Sequence, residues 1–356
     1  MSRSKYSVMA LDGGGIRGVI PARVLQEIET LMKRPICELF DMVAGTSTGG
    51  IIALGLSKPR DDGNGPDFSA EDLLGLYVDH GHQLFPDSIL LKIRTLGGLA
   101  DVRYPTAPLE DLMRDRFGDA KLSHALTEVV IPSYDLSAPA PFFFKRKYTL
   151  EDPDWDVYMW VAARCTSAAP TYFEPAAVPA FKDEGDHALI DGGVFANNPA
   201  VAAYADAVGL WREVPGGEDV EIHVVSIGTG SPPQTHPQHG GIPVAYKDAQ
   251  HWGLARWAQP MLEVVFDGVA KAVEYQMRRL CLRNNKLNYQ RLQSPLPTAD
   301  HAMDNASAEN IANLVADAET LLKTDSETVD AICQTLTDVA ADRDANQLTG
   351  PFTRPG

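Results

Sequence analysis

Two strand–glycine-turn–helix passages within the first 57 residues set the strongest constraint on the fold. Residues 6–11 form an apolar run that reads as a buried strand. DGGGIRG (12–18) follows, and then a helix from Pro21 to Met32 with Val24, Leu25, Ile28, Leu31 and Met32 on one face. A second strand, Phe40 to Gly45, ends in GTSTGG and runs into the apolar helix beginning Ile51-Ile-Ala-Leu. Strand, helix, strand, helix at this spacing predicts parallel strands covered by helices. Glycines between strand and helix allow backbone N–H groups to approach a ligand closely, and the helix adds the positive end of its dipole. The first loop is therefore suited to negative charge, resident or transient.

Further strands are expected at 128–134, 142–145, 188–190 and 220–227. Helices are expected at 155–164, 199–211, 260–281, 308–323 and 326–341. Ser69 and Asp72 read as a capping box, Thr106 with Pro108 as a helix start, and Asn198-Pro199 as a cap followed by proline at the first helical position. Residues 228–241 form a Pro/Gly-rich loop between the sheet and a helical C-terminal third. The chain shows no repeats and no clear boundary between two domains.

Composition narrows the partners. With 44% apolar residues the 356-residue chain can bury a large core. It carries 31 Lys and Arg against 48 Asp and Glu, a formal charge of -17. That balance argues against nucleic acid and against polybasic anchoring on anionic lipid, while leaving neutral or zwitterionic lipid open. Cys37, Cys165, Cys281 and Cys333 are widely spaced, as isolated thiols in a reducing compartment would be. No apolar leader and no run of about 18 apolar residues is visible, so a cytoplasmic protein that does not span the membrane is expected.

Gly45-Thr46-Ser47-Thr48-Gly49 matches G-x-S-x-G between strand and helix, the setting of a nucleophile elbow. A tight Gly/Thr/Ser turn without chemistry is the alternative. None of the histidines sits in a convincing post-strand position: His223 lies within a strand, and His236 and His239 fall in the Pro-rich loop. The better candidate base is Asp191, at the end of the strand Ala188-Leu-Ile and ahead of Gly192 and Gly193. Desolvation there would raise its pKa and its basicity. Taken alone, an Asp-Gly turn closing a strand is the commoner explanation.

Together, DGGGIRG, GTSTG and DGG, in that order, resemble the patatin-like phospholipases, lipid acyl hydrolases with a Ser–Asp dyad and no catalytic histidine. The likeness extends to Ala163-Arg-Cys-Thr-Ser-Ala-Ala-Pro-Thr-Tyr-Phe, Phe195-Ala-Asn-Asn-Pro-Ala, Val225-Ser-Ile-Gly-Thr-Gly and Asn288-Tyr-Gln-Arg-Leu-Gln, covering residues 5–325. The resemblance implies a three-layer α/β/α fold with a central, mostly parallel sheet and a helical C-terminal region. It implies one domain over 1–325, with a C-terminal helix and tail (326–356) packed on it. It also implies Ser47 as nucleophile, Asp191 as proton acceptor, and the N–H groups of Gly13, Gly14 and Gly15 as an oxyanion hole. Gly18, Gly45, Gly49, Gly192 and Gly193 support the motifs. Asp12 is expected to brace the loop through backbone hydrogen bonds. Arg17 is expected either to contact an anionic head group or to sit in the first helical turn.

The expected reaction is acyl transfer to water without metal or cofactor, on a lipid or ester substrate presented in part at membrane or micelle surfaces. Transfer to an alcohol on the same dyad is the alternative, and a non-catalytic lipid binder would have no need of both Ser47 and Asp191. Gly13, Gly15 and Gly18 also satisfy the dinucleotide fingerprint, but the acidic residue expected after the second strand is missing, since Asp41 precedes it. The apolar stretch 84–99 is a candidate lid over the acyl site, with an ordinary buried segment as the alternative.

Overall fold

β1 (Lys5–Leu11) and β2 (Met42–Gly45) run parallel with Leu11 opposite Gly45, so the two glycine turns leave side by side from the C-terminal ends of adjacent strands. The computed structural model describes residues 3–85, 103–178, 186–214, 217–231, 250 and 253–346. The remaining strands are β3 (Glu128–Asp135), β4 (Ala140–Lys145), β5 (Ala176–Val178), β6 (His187–Asp191), β7 (Glu221–Ile227) and β8 (Leu287–Leu292). All belong to one sheet of order β5-β6-β3-β2-β1-β7-β8, with β4 paired to β3. The ladders from β3 through β2, β1 and β7 to β8 are parallel, and those joining β4, β5 and β6 are antiparallel.

The helices of eight or more residues are α1 (Val19–Met32), α2 (Thr48–Ser57), α3 (Ala70–Leu84), α4 (Ala107–Phe117), α5 (Met159–Thr166), α6 (Ala200–Arg212), α7 (Leu254–Cys281), α8 (Ala308–Thr324) and α9 (Ser326–Ala345) among the described residues. Strand alternation divides the core between the two faces of the sheet. Met9, Leu11, Val43, Ile131 and Ile227 pack with residues of α1, α2, α8 and α9. Tyr6, Val8, Ala10, Met42 and Val224 pack with Ala203, Ala207 and Trp211 of α6 and Met277 of α7. The result is a sheet between two helical layers.

α9 closes one side. Its Val329, Ile332 and Leu336 join the first cluster, and Arg343 and Arg3 both pair with buried Asp41. α3 begins at the expected capping box: Ser69 Oγ accepts from Asp72 N (3.2 Å) and Asp72 Oδ2 accepts from Ser69 N (2.8 Å).

Several boundaries differ from the sequence reading. The helix expected from 155 begins at Met159, because Trp155 belongs to a short turn in which the Asp152 carboxylate accepts from Asp154 N (3.1 Å). Tyr158 then bridges to Lys121 before the helix starts. α7 begins at Leu254 and passes through Pro260, which forfeits one helical hydrogen bond without ending the helix. Thr106 precedes α4 without a side-chain capping bond. The cap position of α6 falls on Pro199 rather than on Asn198, whose Oδ1 still accepts from Ala200 N (3.0 Å) one residue further out. The short β5 and the half-exposed edge strand β8 lack the apolar alternation that marks strands in sequence.

Leu84 ends α3, and residues 86–99 of the candidate lid lie outside the described residues, as do 232–241 of the Pro-rich loop. Among the described residues no helix is long and apolar enough to cross a membrane.

Candidate active site

Ser47 sits between β2 and α2 with φ 54° and ψ −123°, a conformation non-glycine residues rarely adopt. The turn has no room for side chains on either flank. A Cβ on Gly45 would come within 2.0 Å of Gly49 O, and one on Gly49 within 2.4 Å of Leu11 O. Hydrogen bonds hold it from every side. Ser47 N donates to Thr166 Oγ1 (3.0 Å), Thr46 Oγ1 to Ala196 O (2.6 Å), and Thr48 Oγ1 to Tyr77 Oη (2.5 Å). The helix that starts at Thr48 directs its N-terminal end at the serine, favouring negative charge on Oγ.

Asp191 is the last residue of β6, paired with Ser133 of β3, and is fully buried. Its N–H donates to Ala168 O (3.0 Å) and its Oδ1 accepts from Gly193 N (2.7 Å). Oδ2 is buried without a close hydrogen-bond partner among the described residues. Burial pushes the Asp191 pKa up to about 7, and the neighbouring Ser47 hydroxyl and the Gly193 amide pull it partly back. The carboxylate is thus poised to change protonation near neutrality, with the serine hydroxyl beside it. Gly192 and Gly193 are fixed by contact: added Cβ atoms would lie 2.4 Å from Pro132 O and 2.8 Å from Phe266 Cζ.

Ser47 and Asp191 line one cleft, with a wall that includes Ile51, Phe85, Leu109, Phe173, Phe266 and Met303. Among the described residues no histidine lines it. Such a wall suits a hydrocarbon chain better than a polar ligand.

The glycine loop approaches the same cleft, but its three amides are not equivalent. Gly13 N–H donates to Asn197 O (3.0 Å), so it is committed to the fold, which corrects the expectation that all three serve an oxyanion. The N–H groups of Gly14 and Gly15 have no acceptor among the described residues, and Gly15 lines the cleft. Gly15 has φ +59°, and a Cβ there would meet Met303 O at 2.1 Å. Gly18 backs onto the serine turn, where a Cβ would lie 2.2 Å from Thr48 Oγ1.

Asp12 also departs from expectation. Its carboxylate turns to a side chain rather than to loop amides: Arg291 of β8 donates to Oδ1 (2.8 Å) and Oδ2 (2.5 Å), and to Ser226 Oγ (2.7 Å). A buried carboxylate needs such a partner, and a bidentate guanidinium supplies it. Arg17 falls in the short 3-10 turn Gly15–Gly18, half-buried, with Nε donating to Gly14 O (3.4 Å). Burial lowers its pKa, while Glu263 and Tyr172 act in the opposite sense.

Thr166, Asn197 and Arg291 were not singled out by sequence. Thr166 and Asn197 lie in the stretches 163–173 and 195–200, which carried the family likeness without an assigned role; Arg291 lies in the similar stretch 288–293.

The model of the family described as patatin-like phospholipase matches residues 9–204, a span that includes the glycine loop, the serine turn and Asp191. The chain belongs to the patatin-like phospholipase family. Among its relatives, "Patatin-like protein 2" of Oryza sativa subsp. indica is 33% identical over 368 residues, covering 94% of this chain and 88% of the relative. "Probable inactive patatin-3-Kuras 1" of Solanum tuberosum is 28% identical and covers 89% of this chain and 86% of its own length. Among solved structures, VipD from Legionella pneumophila overlaps 90% of this patatin-like chain and 67% of its own, with TM-score 0.38 and 11% identity.

Proposed function

We propose that this protein is a lipid acyl hydrolase that cleaves carboxylic esters through a Ser47–Asp191 dyad and a covalent acyl-enzyme. The observation that carries the reading is the pairing of a strained serine with a buried carboxylate of raised pKa, in an apolar cleft lined by Gly15, whose amide, like that of the adjoining Gly14, has no acceptor among the described residues. Since one relative is itself named probable inactive, family membership alone does not carry the activity; the intact pair does.

Asp191 takes the Ser47 proton as Oγ attacks the ester carbonyl. The tetrahedral oxyanion is received by the N–H groups of Gly14 and Gly15, a donor set worth on the order of 3–4 kcal/mol per well-placed group in serine hydrolases. Protonated Asp191 returns its proton to the leaving alcohol or lysolipid. It then accepts a proton from the water that attacks the acyl-enzyme. The unit carrying this chemistry is residues 1–325, buttressed by α9. The substrate class is neutral or zwitterionic lipid, consistent with the charge of -17.

The test is hydrolysis of p-nitrophenyl esters and phosphatidylcholine micelles by wild type, Ser47→Ala and Asp191→Asn. The reading expects a loss of at least about a thousandfold in both variants with the circular dichroism of the fold retained. Activity within tenfold of wild type in either folded variant would refute it.

A further inference from the structure

The segment Thr166-Ser167-Ala168 touches both members of the pair. Thr166 Oγ1 accepts from Ser47 N (3.0 Å) and donates to Pro132 O (2.6 Å), while Ala168 O accepts from Asp191 N (3.0 Å). Between them, Ser167 is the C-cap that follows α5 and is 7% exposed. It lines the cleft alongside Ser47 and Asp191, and its Oγ is buried with no hydrogen-bond partner among the described residues. Of the other polar side chains in that wall, Thr48 and Tyr77 satisfy one another. A buried hydroxyl without a partner costs roughly 1–3 kcal/mol. A hydroxyl left unpaired in a reaction cleft therefore calls for a ligand that arrives with the substrate.

We infer that Ser167 Oγ holds the exchanging oxygen of the reaction: the alcohol oxygen that leaves during acylation, and the water oxygen that replaces it. This inference rests on the acyl-hydrolase reading above and adds a ligand to it. Both oxygens occupy one position, because the attack of water on the acyl-enzyme is the reverse of alcohol departure with a different nucleophile. Ser167 lines the same cleft as Ser47 and Asp191, so its hydroxyl is available to that oxygen. In deacylation the water oxygen forms a bond to the acyl carbon and the Ser47 Oγ–carbon bond breaks. The water proton passes to Asp191 and from Asp191 to Ser47 Oγ, so free acid and free serine result. Ser167 exchanges no proton; it accepts a hydrogen bond from the water and fixes its direction of attack.

The leaving group makes the test selective. p-Nitrophenolate departs without help, so acylation by p-nitrophenyl butyrate does not depend on Ser167, whereas deacylation does. Ser167→Ala and Ser167→Cys both remove the strong hydrogen bond, and either one that folds decides the matter. Acid quenching and intact-mass measurement follow formation and decay of the acyl adduct. The expected result is an unchanged rate of adduct formation and a decay slowed about tenfold, the loss of one hydrogen bond. Decay at the wild-type rate, or equal slowing of both phases, would overturn the role of Ser167. If the wild type forms no acyl adduct at all, the acyl-hydrolase reading itself falls, and this role with it.

Discussion

Arg291 holds both carboxylate oxygens of Asp12, at 2.8 and 2.5 Å, and each side chain is 3% exposed. The glycine loop that follows β1 is therefore anchored by β8, the last strand in chain order. Removing the guanidinium would strand a carboxylate in the core beside Gly13 and Gly14.

Arg291→Met is predicted to cost about 3–5 kcal/mol of stability, the usual penalty for breaking a buried pair from one side. Urea denaturation measures it. Adding Asp12→Asn should recover part of the loss, because the stranded charge is then gone; no recovery would mean that Arg291 acts through packing alone.

Activity should rise with pH along a limb whose midpoint lies near 7, set by the Asp191 carboxylate. Only its ionised form can accept the Ser47 proton. A profile of kcat/KM on a substrate that does not titrate between pH 5 and 9 checks this, and a flat profile across that range would count against Asp191 as the base.

The same residue has the opposite effect on stability. Its pKa rises from 3.8 to about 7 on folding, so the folded chain binds the proton more tightly than the unfolded one. The stabilisation is complete below about pH 4 and is lost as pH rises through about 7. Asp191→Asn cannot ionise, and is predicted to be more stable than wild type at pH 8, by up to roughly 4 kcal/mol at the conversion of 1.36 kcal/mol per pKa unit. At pH 4 that advantage should vanish. Thermal melts at the two pH values provide the comparison.

Thr166 supplies the acceptor for the Ser47 amide, which otherwise has none because the turn points it away from the ladder. Thr166→Val should lower kcat about tenfold with KM little changed, since a misplaced nucleophile affects the chemical step and not the acyl pocket. Thr166→Ser keeps the oxygen and should stay near wild type. Equal behaviour of the two variants would remove the hydrogen bond from the account.

The parts of the fold visible in sequence are those written in local pattern. β1, β2, α1 and α2 follow from apolar runs broken by glycine, and Ser47 follows from its place between a strand and a helix. Asp191 is visible because a strand ends on it. What escaped was long-range. Nothing near Asp12 announces that its partner stands at 291, on an edge strand without apolar alternation. Gly13 looks like Gly14 in sequence, and only the carbonyl of Asn197, brought in by the turn after β6, takes its amide. Thr166 and Ser167 lie in a helix end whose nearest candidate residue is 24 positions away in the chain. The start of α5 was missed because a polar turn at Asp152 competes locally with helix formation.

The most direct measurement is the site of the covalent intermediate. Wild-type protein mixed with excess p-nitrophenyl butyrate, quenched in acid within its first turnovers and digested, should yield a single butyrylated peptide. The modification should map to Ser47 and be absent from Ser47→Ala. A butyryl group on another residue, or turnover by Ser47→Ala at the wild-type rate, would contradict the account.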